Sequence, residues 1–221
     1  DLKAGIIVDV EASAVNKAAE VEATRMMIDR VEDKFDMKPE RLVGDTNYGS
    51  AAMLGWLVDE KQIAPHVPVL DKSERTDGTF QRDDFQWDQE AKEYRCPAGK
   101  PLRSQWGPFK NPRTHITQAD TIIYRSSEHD CAGCSMKARC CPNSTTRKIA
   151  RSIHESARDV ARAIAQTDAY KQSRKDRKKV EMLFAHLKRI LKLDKLRLRG
   201  LSSAQDEFLL AATAQNLRRM A

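Results

Sequence analysis

The chain has 221 residues, enough for one large domain or a core carrying a sizeable insertion. Hydrophobic residues make up 40% and aromatic residues only 6%, which excludes broad aromatic stacking surfaces as the theme. No apolar run approaches the roughly 18 residues of a membrane span, and the first residues show no secretory h-region.

Residues 5–12 are rich in β-branched side chains and predict a strand. Residues 15–35 predict an amphipathic helix, with Val21, Met27, Ile28, Val31 and Phe35 near one face and Asn16 or Ser13 as cap. Pro39 blocks its continuation. Arg41–Asp45 reads as a short buried strand, Ser50 to about Lys61 as a second helix with Met53, Leu54, Leu57 and Val58 inward, and 64–70 as a strand whose two prolines suggest an edge. The order β, α, β, α, β is that of a parallel sheet with crossover helices.

From Asp71 to about Arg147 the helical period disappears. Prolines, glycines, all five cysteines and two of the three tryptophans gather there, as in an insertion, and both tryptophans are expected to pack its small core. Helices then follow at about 153–166, 169–193 and 203–219, the last with a capping-box pair, Ser202 and Gln205. The domain reading is a first core segment at 1–70, a cysteine-rich insertion at 71–147 and C-terminal helices completing the core at 148–221.

Charge is uneven. The net charge is +7, but residues 171–199 alone carry twelve Lys/Arg and three acids, so this segment is +9 and the rest of the chain is −2. Such a local patch is the footprint expected for a phosphate backbone, or else a solvated helix face.

Cys96, Cys131, Cys134, Cys140 and Cys141 lie within 46 positions. An odd count argues against a secreted disulfide framework. Four thiolates of the five could close a tetrahedral structural zinc site, with His129 in reserve; the alternative is a set of reduced, buried thiols acting as small hydrophobes. None of the five histidines shows metal-site spacing.

In the helix around Glu181, Val180, Leu183, Phe184, Leu187, Ile190 and Leu191 form an apolar stripe. Glu181 lies at its margin, with Arg174, Arg177, Lys188 and Lys192 on the same flank. An Arg177–Glu181 pair at i,i+4 explains one cation and not four. Carboxylates that hold Mg²⁺ beside phosphate-binding cations are what metal-dependent phosphodiester chemistry needs. Asp45 is the natural partner, at the carboxyl end of a strand, although turn-capping aspartates are common there.

The segment GDTNYGS, the helix RKDRKKVEMLFAHLK, LRLRG and the closing AATAQNLRRM together resemble DDE transposases of bacterial insertion sequences, over nearly the whole chain. That resemblance implies an α/β fold: a partial ribonuclease H-like core with a cysteine-rich insertion and a helical C-terminus. It implies catalytic Asp45, in an Asp-x-x-Tyr turn with Tyr48, and catalytic Glu181, in a signature fitted by Arg177, Glu181 and Lys188. Arg174 stands where the family has tyrosine. Asp45 and Glu181 would ligate Mg²⁺ or Mn²⁺, and Arg174, Arg177, Lys178, Lys188 and Lys192 would contact DNA. The implied partners are transposon-end and target DNA and a second copy in a synaptic complex; the implied location is the bacterial cytoplasm.

The family's first aspartate sits on an earlier strand. Asp9 is rejected for that role because the next helix begins too soon after it. With Asp1-Leu-Lys-Ala-Gly read as a hairpin turn, the chain is expected to be a C-terminal fragment, inactive in isolation. A DNA-binding module without catalysis and a zinc-stabilised scaffold are the alternatives.

Overall fold

The computed structural model describes residues 4–14, 16–71, 76–107 and 115–221; most of the expected hairpin turn, residues 1–3, lies outside them. The chain divides into two compact units, one of residues 1–70 with 157–221 and one of residues 71–156.

The first unit opens on residues 6–14, which join no strand ladder among the described residues. The predicted strand at 5–12 is corrected accordingly. Its backbone bonds go to carboxamides of the last helix instead. Ile7 N–H donates to Asn216 Oδ1 at 2.8 Å while Asn216 Nδ2 donates to Ile7 O at 2.8 Å. Gln205 Nε2 donates to Val10 O at 3.0 Å, and its Oε1 accepts from Ala12 N–H. Two amide side chains thus do for this backbone what a neighbouring strand would do.

Helix α1 (Lys17–Phe35) starts at Asn16, whose side chain accepts from Ala19 N–H, and ends at Asp36 in the left-handed region. Phe35, expected inward, is exposed. Strands β1 (Arg41–Val43) and β2 (Ala64–His66) pair in parallel, with Val43 opposite His66. Between them α2 (Ala51–Gly55) continues as a π-helical turn over Trp56–Glu60. Ile28, Met53, Trp56, Leu57 and Ile63 form one buried cluster. Leu54 and Val67 join Ala157 and Ala161 of helix α5 (Glu155–Ala165) in a second. The third predicted strand shortens to three residues, because Pro68 has no N–H to extend a ladder.

Helix α6 (Asp168–Arg189) is capped by Thr167 and stops four residues before the predicted 193. Lys192 therefore lies beyond it, in the left-handed region. Of the anticipated apolar stripe only Leu187 is buried; Phe184 and Ile190 are exposed. Helix α7 (Leu201–Met220) begins after Gly200 with no side-chain cap. Ser202 and Gln205 form no capping box, since Gln205 is committed to residues 10 and 12.

The second unit holds a five-stranded antiparallel sheet in the order β3 (Gln86–Asp88), β4 (Glu93–Arg95), β5 (Pro101–Arg103), β6 (Thr121–Ser126), β7 (Lys148–Ser152). Two short helices, α3 (Glu128–Ala132) and α4 (Lys137–Cys140), connect β6 to β7. The loss of helical period after Asp71 marks a change to β-structure. One sheet face carries Tyr94, Leu102, Tyr124 and Ile149, buried with Phe85, Cys140 and Cys141. Trp87 packs edge-on to Tyr124 at 5.4 Å, as expected of a core tryptophan. Trp106 does not: it is exposed, and its Nε1 donates to Arg125 O at 2.9 Å.

Candidate active site

Asp45 follows β1 by two residues, at the carboxyl end of the parallel pair, where open α/β sheets present ligand-binding groups. It caps the short 3₁₀ turn Thr46–Gly49: its Oδ1 accepts from Asn47 N–H at 2.8 Å. That bond orients the carboxyl group and occupies one oxygen. Tyr48, three residues on, donates from its hydroxyl to Glu20 Oε1 at 2.8 Å, and burial pushes its pKa up to about 12.

Helix α6 docks against the β1–β2 pair through polar groups. Ser173 is buried, with its Oγ 2.8 Å from His66 Nδ1. Arg41 Nη2 lies 3.3 Å from Asp176 Oδ2. Lys179 and Gln172 also bond Asp176 and hold its pKa down. Burial holds His66 below the ordinary imidazole range, with Arg41 acting in the same sense. Residues 173, 176 and 177 are spaced i, i+3, i+4, so one helix face makes all these contacts. Sequence periodicity missed this docking because the face is polar; a search for apolar recurrence passes over serine and aspartate.

Arg177 spans from Glu181 to the backbone just ahead of Asp45. Its Nη1 reaches Gly44 O, the carbonyl just before Asp45, at 3.5 Å, and its Nε lies 3.3 Å from Glu181 Oε1. The predicted i,i+4 pair is therefore present, and the same guanidinium also touches the β1 end. Glu181 is exposed, its side chain 61% accessible. Among the described residues, no group of three or more His, Cys, Asp or Glu side chains could hold a metal ion. Asp9 is engaged elsewhere, in a salt bridge to Arg30 at 2.8 Å.

The cations sort into two groups. Lys171, Lys179 and Arg177 each pair with an acid of α6. Arg174, Lys178, Lys188 and Lys192 are exposed and have no carboxylate partner among the described residues.

All five cysteines line one cavity of about 20 Å³ in the second unit, room for a single water-sized sphere. Cys96 Sγ accepts from Lys100 N–H at 3.3 Å, and Cys131 Sγ lies 3.1 Å from Ser126 Oγ. All are free thiols, and burial with Cys141 alongside pushes Cys140 up to about 12. The expected gathering is present, but no three thiols, with or without His129, group as metal ligands. The zinc expectation has no support in this geometry; of the alternative, buried thiols, Cys140 and Cys141 fit, while Cys96, Cys131 and Cys134 are half-buried.

Residues 95–221 match the transposase DDE domain family. The chain belongs to this family, whose members act on DNA in transposition. The match includes Glu181 and the basic helix; Asp45 precedes it. No match was found among curated proteins or solved structures. No helix among the described residues is long and apolar enough to cross a membrane.

Proposed function

We propose that this chain contributes a ribonuclease H-like catalytic region to a transposase, in which Asp45 and Glu181 hold a divalent cation of the Mg²⁺ class. The observation that carries the proposal is the Arg177 bridge between Glu181 and the carbonyl preceding Asp45. It brings Glu181 and Gly44, the residue before Asp45, to one guanidinium although they are 137 positions apart in the chain. Carboxylate oxygens are the donors that a hard cation takes, and Mg²⁺ needs only one or two of them because it keeps several waters. Bound there, the cation supplies Lewis acidity toward a phosphodiester.

The protein groups have separate tasks. Asn47 N–H fixes one oxygen of Asp45 and leaves the other for a ligand. Arg177 restrains Glu181 and keeps α6 at the end of β1. Arg174, Lys178, Lys188 and Lys192 hold DNA phosphates, whose contacts orient the backbone without reading sequence. The acting form pairs two copies on two transposon ends.

The test measures Mn²⁺ affinity by water-proton relaxation on the full chain, with Asp45→Asn and Glu181→Gln. Each substitution should weaken binding at least about tenfold, since even the removal of groups behind a metal ligand costs that much. Duplex-DNA affinity without metal should be retained. Unchanged Mn²⁺ affinity in both variants refutes the assignment.

A further inference from the structure

We propose that the outward face of the β3–β7 sheet is a second DNA-backbone contact surface, centred on a cross-strand row of three cations: Arg103, Arg125 and Lys148. The proposal rests on the reading of this chain as one that handles DNA.

Register assembles the row. Arg103 of β5 lies directly opposite Arg125 of β6, and Arg125 directly opposite Lys148 of β7. Residues directly opposite one another project from the same face, and adjacent strands lie about 4.8 Å apart, so three positive side chains stand in a line about 10 Å long. All three are exposed. The face is the one turned from the core, because Leu102, Tyr124 and Ile149, their chain neighbours, point the other way into it.

Like charges directly opposite each other destabilise a sheet. Among the described residues a neutralising acid stands at one end of the row: buried Glu93 takes Arg103 at 2.6 Å and Arg95 at 2.6 Å. Neither Arg125 nor Lys148 has a carboxylate partner among the described residues. Beside the row, exposed Trp106 is held by its bond to Arg125 O, and the Arg103 guanidinium lies 5.2 Å from its ring centre. A row of exposed cations that repel one another, two of the three without a carboxylate partner among the described residues, is relieved by a ligand bearing a line of negative charge. A phosphodiester backbone is such a ligand, and its contacts with arginine and lysine release counterions.

Fluorescence anisotropy of the full chain on a labelled duplex of random sequence, between about 50 and 200 mM salt, measures the slope of log K against log salt. Arg125→Gln with Lys148→Gln should reduce that slope by up to about 1.8, at about 0.9 per phosphate contact. The melting temperature should stay level or rise, because the repulsion is relieved. The charge-keeping pair Arg125→Lys with Lys148→Arg should leave the slope intact. An unchanged slope in the doubly neutral variant overturns the proposal. If Lys178→Gln with Lys188→Gln then lowers the slope, the sheet surface fails alone; if that pair also changes nothing, the DNA-handling reading of α6 fails with it.

Discussion

The turn that carries Asp45 is packed so closely that one methyl group should break it. A Cβ on Gly49 would stand 1.9 Å from Pro68 O, 2.8 Å from Leu70 N and 3.0 Å from Pro68 C, all backbone atoms. Ordinary contact begins at 3.4 Å, so the two segments must separate by about 1.5 Å. The bond from Leu70 N–H to Gly49 O, now 2.9 Å, cannot survive that opening. Overpacking costs about 1–3 kcal/mol and the lost hydrogen bond about 1 kcal/mol, so Gly49→Ala should destabilise by about 3 kcal/mol. For a chain of this length that lowers the melting temperature by about 6–12 °C. Gly133→Ala is the control: its Cβ meets nothing within 4 Å and its φ is −101°, so its effect should stay within about 0.5 kcal/mol. Urea and thermal unfolding followed by circular dichroism compare the two. A Gly49→Ala effect within about 1 kcal/mol of the control refutes the claim that backbone contact holds this turn. The same variant should lose Mn²⁺ affinity, because Asp45 opens the turn that Gly49 closes.

His66 supplies a pH dependence whose sign is fixed. Its folded pKa lies below the ordinary value, so the unfolded chain takes up a proton first as pH falls. Stability is full above about pH 6.5 and should decline below it, by at most about 1.4 kcal/mol per pH unit, until the folded pKa is reached. His66→Gln should flatten this decline in melts between pH 7.5 and 5; an equal decline in the variant refutes the assignment. At pH 8, Cys140, pushed up to about 12, should be alkylated by iodoacetamide far more slowly than Cys134, as read by mass spectrometry of peptides. Equal rates would show that the Cys140 thiol is not desolvated.

What was legible in the sequence was whatever rests on local chemistry. The Asn16 cap, the helix over most of 153–166, the Asp45 turn and the Arg177–Glu181 pair all depend on residues within one or two turns of each other. The errors arose where distant groups decide. Residues 5–12 carry strand chemistry, but a strand exists only through a partner, and here two amides 193 and 209 positions away take the backbone bonds. Gln205 looked like a capping residue for the same reason: its spacing suited one, while its actual partner was remote. The apolar stripe on α6 misjudged which face docks, because the docked face is serine, aspartate and arginine.

The charge ledger makes the same point in reverse. Counting along the chain found the α6 patch because its cations are consecutive, and it averaged the second unit away because Arg103, Arg125 and Lys148 are more than 20 positions apart. Sheet register brings them together. The two proposed surfaces are built by different means. On α6, three cations are tied to acids of the same helix, while Arg174, Lys175, Lys178, Lys188 and Arg189 are exposed with no carboxylate partner among the described residues. On the sheet, Glu93 neutralises Arg103, while Arg125 and Lys148 have no carboxylate partner among the described residues. If both proposals hold, contacts of either kind are blind to base sequence and predict salt-sensitive binding to any duplex, and any sequence preference would have to come from groups that reach base edges.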